Sequence, residues 1–362
     1  MEKQARITGD PLNRRSFMRG GLVAGGAAAM GVGLLSSNRP AFGQDSDDRG
    51  RDLSRGDSAI LRFLAAAELI EADLWTQYAE LGGVTGSAMN AYQTAFTNLD
   101  GDGMQYITSN TLDEVSHSDF LNAYLESKGA DPVNLDAFRQ LQGSKATGAK
   151  NIGRLTNLMH LTVDTSWYTR YRSTTNPDFG ATFPQALNIN NRSAIPVTDA
   201  DFDNSTHIQA IADIAAFHFG SIEQGGTSLY AAMSQKASGA EVLEITLGIG
   251  GSEIAHFLEW VDFAGNAVQG PPITDQGLTF PNFNNPPNPQ LQTNLIFPIP
   301  CEFINPNLPK CAVIRPLTDQ NAGAVAAVKS LTGSGLFMGQ SKQFFGTLQQ
   351  LAIEADEARR SS

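Results

Sequence analysis

Four long stretches of this chain carry apolar residues at helical spacing, and each also places acids or histidines on its apolar stripe. The first predicts a helix from Asp57, which can cap it, to about Leu81, where Gly82 and Gly83 stop it. Along it Leu61, Leu64, Glu68, Glu71, Trp75 and Tyr78 recur three and four apart, forming one inward stripe with two acids. A second helix is predicted from about Met104 to Lys128, ended by Gly129 and Pro132, with Ile107, Thr111, Glu114, His117, Leu121 and Tyr124 facing inward. The third starts near Ser205 and carries Ile208, Ile211, Ala215, Phe219, Glu223 and Tyr230. The fourth, from about Gly239 to Ala264, carries Val242, Ile245, Ile249, Glu253, His256 and Trp260.

Between and beyond these stretches the pattern changes. Residues 146–172 read as helical, and Ser173 to Asn204, rich in Asn, Thr, Pro and Asp, read as a long connection of the kind that serves as a lid or binding loop. Residues 266–316 are rich in Pro and Asn and predict irregular chain; helices resume near 319–331 and 338–359. Asn98 to Gly103 is similar to the first half of a calcium loop, but its twelfth position is Ser109 where such a loop needs a bidentate Glu, so a capped turn is expected.

The N-terminus belongs to a different class of segment. Asn13, Arg14, Arg15, Ser16, Phe17, Met18 and Arg19 precede a Gly- and Ala-rich apolar run to Leu35, a pattern that resembles a twin-arginine export signal. The run is short and broken by glycines, which disfavours a membrane anchor, and Ala41, Phe42 and Gly43 offer a cleavage site. The expected organisation is a twin-arginine signal at 1–43, a disordered polar spacer at 44–56, a four-helix bundle at 57–265 and an extension at 266–362. Export by this route moves folded proteins, often loaded with a cofactor beforehand, to the periplasm or beyond. Removing residues 1–43 takes the basic count from 25 to 19 and the acidic count from 37 to 35, a net charge of −16, which argues against a nucleic-acid partner. Cys301 and Cys311 are the only cysteines, and outside the cytoplasm they are expected to form one disulfide.

Candidate chemistry lies in the acids and histidines of the four stripes. Residues three apart on a helix share a face, so Glu114 with His117, and Glu253 with His256, can each present an oxygen and a nitrogen to one centre. Each pair follows a helix with an inward Glu. The halves also match around those lone acids: Ile70, Glu71, Tyr78 and Ala79 align with Ile222, Glu223, Tyr230 and Ala231 at one offset, which favours Glu71 over its stripe neighbour Glu68. Tyr78 and Tyr230 could hydrogen-bond a ligand carboxylate or simply pack. Gly225, Gly226, Gly248, Gly250 and Gly251 are costly inside helices and could make room near the centre or permit a bulge. His160, His207 and His218 have no matching partners and are expected to be structural or exposed.

Over residues 57–265 this order of Glu, Glu-x-x-His, long crossover, Glu, Glu-x-x-His resembles the ferritin-like di-metal carboxylate superfamily. Glu68, Leu69, Ile70, Glu71, Ala72 and Asp73 bring it nearest to exported ferritin-like proteins similar to desiccation-related proteins. The resemblance implies an all-α, ferritin-like four-helix bundle at 57–265. It also implies two metal ions, with Glu114 and Glu253 bridging them, Glu71 and Glu223 terminal, and His117 and His256 each giving one nitrogen. Four buried carboxylates would otherwise repel one another and lose solvation, whereas two divalent cations cancel their charge.

Oxygen and nitrogen ligands without thiolate suit iron or manganese and also accept zinc. Two redox ions roughly 4 Å apart imply chemistry on dioxygen or peroxide, as an oxidoreductase of peroxidase, catalase or oxidase type. A non-catalytic stress or desiccation-related protein with a structural di-metal site is the alternative, and metal storage a third. A small oxygen species or small-molecule substrate is the expected partner, and homo-oligomers are compatible with the pattern.

Overall fold

The computed structural model describes residues 53–171, 183–288, 291, 299–314 and 323–360. The segment read as an export signal, the spacer up to residue 52 and parts of the crossover and extension lie outside the described residues. Among the described residues, helix dominates. The long helices are α1 (Arg55–Gly82), α3 (Gly103–Ser127), α5 (Ser205–Ser234) and α6 (Ala240–Ala267); α2 (Ala91–Leu99), α4 (Trp167–Arg170), α7 (Ala324–Gly333) and α8 (Lys342–Glu357) are shorter. None is long and apolar enough to cross a membrane.

The stripes pair the long helices. α1 packs antiparallel on α3, and α5 antiparallel on α6. Between the pairs Trp75, Tyr78, Phe219 and Trp260 form an aromatic layer, with Trp75 stacked on Trp260 at a centroid distance of 5.3 Å. Phe96 of α2 joins it through Phe219 and Phe263.

Helix ends differ from the sequence expectation in an instructive way. Ser54 caps α1 by accepting from Asp57 N at 3.0 Å, so the helix starts two residues before Asp57. Asp57 is buried and caps the start of α6 instead, accepting from Ser238 N at 2.8 Å and Gly239 N at 3.0 Å. That one carboxylate therefore ties the N-termini of α1 and α6 together.

The expected helix over 146–172 is absent. In its place lie β2 (Gly153–Arg154), paired with β1 (Leu141–Gln142), and β3 (Leu161–Val163), paired with β4 (Ile189–Arg192), with one turn of helix at α4. Outward acids on α1 capture this segment as extended chain. Asp73 accepts from Leu155 N and Thr156 N, both at 3.0 Å, and from Arg139 at 2.6 Å, while Glu80 binds the buried Arg154 and accepts from Lys150 N at 2.9 Å. A Cβ at Gly153 would overlap Arg139 O, so the close approach requires glycine there. Leu155, Leu158, Leu161 and Val163 are buried, a pattern that fits helix or strand equally well until a partner chooses.

In the extension, β5 (Ile273–Asp275) and β6 (Leu278–Phe280) form a hairpin whose Asp275 accepts from His207 of α5 at 2.8 Å. α8 packs on α1, and Asp356 of α8 caps α7 through Ala324 N and Val325 N. The expected disulfide is not formed. Cys301 and Cys311 face each other across a backbone-bonded antiparallel bridge, with N–H to O distances of 3.2 and 3.0 Å, and both thiols are free. A pair bonded in that way holds its Cβ atoms wider apart than a disulfide spans. Residues 100–103 form the expected turn, closed by Gly103 N to Asp100 O at 3.0 Å.

Candidate metal centre

The two helix pairs bring their acids and histidines together at one level of the bundle. Two groups have all their ligand atoms within 4.8 Å of one another: Glu68, Glu114, His117 and Glu253 form one, and Glu114, Glu223, Glu253 and His256 form the other. Glu114 and Glu253 are shared. Those two and Glu223 are fully buried, and His256 alone is partly exposed.

Glu114 is the hub. Its Oε2 lies 3.1 Å from His117 Nδ1 and its Oε1 lies 3.0 Å from His256 Nδ1. His117 Nδ1 is also 3.5 Å from Glu68 Oε2 and 3.9 Å from Glu253 Oε1, and His256 Nδ1 is 3.3 Å from Glu223 Oε2. Burial opposes charge on every one of these groups. For Glu114 the two histidines outweigh burial and hold it at about 2, and the carboxylates in return raise His117 to about 10 and His256 to about 12. Elsewhere burial wins. It lifts Glu68 to about 8, raises Glu223, and pushes Glu253 and Glu71 well above the usual range, with Glu114's charge adding to the last three.

Of the six residues singled out in the sequence, five fall in these groups and Glu71 does not. Glu68 takes the place assigned to it. The antiparallel register explains why: on α1 and α3 Glu68 stands opposite His117, and on α5 and α6 Glu223 stands opposite His256. Glu68 and Glu223 are thus the equivalent pair, an offset of 155 residues between positions 68 and 223. The sequence match aligned Glu71 with Glu223, three residues away, nearly one helical turn. By the same register Gly226 is the counterpart of Glu71. A Cβ at Gly226 would overlap Glu253 Oε2, so this glycine makes the room that Glu253 occupies. Gly250 similarly abuts Tyr230, whereas Gly225, Gly248 and Gly251 face open space.

Two supporting residues escaped the sequence reading. Asp113 accepts from His256 Nε2 at 3.1 Å, which orients Nδ1 toward the cluster. Asn110 donates to Glu114 Oε1 at 2.8 Å and Glu223 Oε1 at 3.1 Å, and Trp260 Nε1 donates to Asn110 Oδ1 at 2.7 Å. Asn110 sits one turn before Glu114 on the same stripe, a spacing that could have marked it. Asp113 points off the stripe, and nothing in the sequence linked it to a helix more than a hundred residues away. Of the two tyrosines, Tyr230 donates to Glu68 Oε1, whereas Tyr78 pairs with His218 Nδ1 at 2.8 Å.

The donor set fits a cation. Both oxygens of Glu253, Oε2 of Glu68 and Oε2 of Glu71 are buried without hydrogen-bond partners among the described residues, a costly state for carboxylates unless something positive meets them. Beside the cluster is a mainly apolar cavity of about 130 Å³ between α1 and α5, roofed by α7 and bordered by half-buried Glu71 and by His218. Fold and cluster together define a mostly helical protein with a buried carboxylate and histidine centre able to hold metal. No protein-family model, curated protein or solved structure matches the chain.

Proposed function

We propose that this chain is an exported ferritin-like di-metal protein that performs redox chemistry on dioxygen or peroxide. The observation that carries the reading is the pair of four-residue groups sharing Glu114 and Glu253, with carboxylate oxygens left unpartnered between them. Glu68 and His117 would hold one ion, Glu223 and His256 the other. Four carboxylates against two divalent cations leave the centre neutral. Two bound iron or manganese ions would supply redox chemistry toward a small oxygen species.

The chain's own groups set the conditions for that chemistry. Asp113 holds the His256 proton at Nε2 and frees Nδ1 as a ligand. Tyr230 and Asn110 donate to Glu68, Glu114 and Glu223 and fix which oxygens remain free to bind metal. The aromatic layer of Trp75, Phe219 and Trp260 excludes water on one side. Glu71 stands between the cluster and the cavity, where its carboxyl can hold a proton at Oε2.

Elemental analysis of protein exported by its native host, followed by a peroxide-consumption assay, tests the reading. Two redox-active ions per chain with turnover support it. Bound metal without turnover, together with a large melting drop on chelation, would leave the structural alternative in its place. Glu114→Ala is expected to abolish loading of both ions, and unchanged metal content would overturn the ligand assignment. Leu112, Val115 and Phe120 on α3 and Leu247, Ile254 and Leu258 on α6 are exposed, and a homo-oligomer would use this apolar face; sedimentation of the mature protein tests it.

A further inference from the structure

The cavity beside Glu71 has the size and lining of a small-molecule site. Its walls are mainly apolar, with Phe63, Ile70, Leu74, Leu229, Leu331 and Phe337 among them. At about 130 Å³ it approaches the roughly 150 Å³ of an apolar cavity that binds benzene. Two residues of its lining, Glu71 and His218, carry buried polar atoms left over. His218 is 2% exposed, and its Nε2 has no hydrogen-bond partner among the described residues.

Tyr78 OH lies 2.8 Å from His218 Nδ1, so that nitrogen is taken and Nε2 is the one left without a partner. Burial keeps the ring neutral, holding its pKa down at about 3. The cavity therefore offers an apolar body site with a neutral imidazole, His218, in its lining and, at the boundary with the cluster, the carboxyl of Glu71. A ligand with a negative head would meet that acid and find no cation among the lining residues. A neutral hydroxyl suits both groups, since it can donate or accept.

We infer that this cavity binds a small neutral organic molecule with an apolar ring or short chain and a single hydroxyl, of about the size of phenol. In this role it is the organic-substrate pocket of the proposed di-metal centre, and that part rests on the functional reading above. The position of Glu71, on the cavity wall and about one helical turn from Glu68 of the cluster, connects the two.

Calorimetric titration of phenol into the full-length protein, with metal and after chelation, tests the site. One molecule per chain is expected in both states. Two variants fill the cavity from different sides: Gly225→Leu, where a Cβ meets nothing within 4 Å, and Ala327→Phe on the roof helix. Each is expected to weaken phenol binding by at least about tenfold while keeping the wild-type circular dichroism and metal content. Non-saturable binding, or equal binding by whichever of the two variants folds, would overturn the site. Proximity to the centre is read separately, by paramagnetic broadening of the phenol ring protons in manganese-loaded protein. Manganese bound without broadening would refute the substrate role and leave the cavity a separate site. Protein that takes up no metal but still binds phenol would count against the di-metal reading and not against the cavity.

Discussion

At the scale of single residues, Glu114 is paired with both His117 and His256, while Glu253 keeps two oxygens without hydrogen-bond partners among the described residues. Glu68 and Glu71 are the sharpest comparison, since both lie on the inward stripe of α1 and only Glu68 reaches His117. Glu68→Gln is expected to lower the metal content of purified protein and Glu71→Gln to leave it intact; the reverse result in elemental analysis would restore Glu71 as the ligand. Asp113→Asn, which weakens the orientation of His256, should cost about 10–100-fold in metal affinity. In metal-free protein, protons take the role of cations: Glu68 is raised from 4.5 to about 8, and His117 and His256 from 6.5 to about 10 and about 12. Groups raised in the folded state stabilise it fully below their unfolded values and lose that contribution as pH climbs through the folded ones. Glu114, lowered to about 2, acts oppositely; its contribution is present above 4.5 and lost toward pH 2. The melting temperature of chelated protein should therefore fall as pH rises from about 5 to about 10, and manganese should flatten that fall. A chelated protein whose Tm stays level across the range would show that these groups are not coupled as described.

At the scale of elements, glycines and caps decide how closely the helices meet. Gly226 and Gly225 are neighbours on α5 with opposite constraints. Gly226→Ala drives a methyl into Glu253 and should both destabilise the fold and reduce metal loading, whereas Gly225→Ala should stabilise by up to about 1 kcal/mol through helix propensity alone. Urea unfolding of the two variants separates them. Asp57 belongs to the same scale. It was legible as a helix-capping residue, but the helix it caps is α6, because its carboxylate turns away from its own N–H groups toward Ser238 and Gly239. Asp57→Ala should cost about 0.5–2 kcal/mol in the same measurement. The failed helix over 146–172 has a similar cause. Its apolar spacing suited either structure, and the contest was settled by Asp73 and Glu80 on α1, which supply the hydrogen bonds its backbone would otherwise find in a helix.

At the scale of the whole molecule, the extension packs onto the long helices. α8 lies along α1, Asp356 joins α7 to the end of α5 through Lys236 at 2.9 Å, and together they roof the cavity at Glu71. This places a mainly apolar cavity next to the buried carboxylates and histidines of the cluster. The crossover wraps the opposite acids of α1, so α1 is held on one side by the ribbons and on another by α8. The position of α1 sets which of its acids meets His117, and these distant segments therefore bear on the centre without touching it.

What the sequence by itself determined is the part governed by local periodicity: four long helices, their inward stripes, and the two Glu-x-x-His pairs whose members share a face by helical geometry. Glu114, His117, Glu223, Glu253 and His256 follow from that alone. Tertiary structure decided the rest. Helical phase places Glu68 and Glu71 on one face but says nothing of the axial slide of α1 against α3, and a slide of about one turn is what separates a residue at the cluster from one at the cavity wall. The same holds for Asp113 with His256 and for Asp57 with α6: these pairs are remote in sequence, and only packing through space brings donor and acceptor within reach.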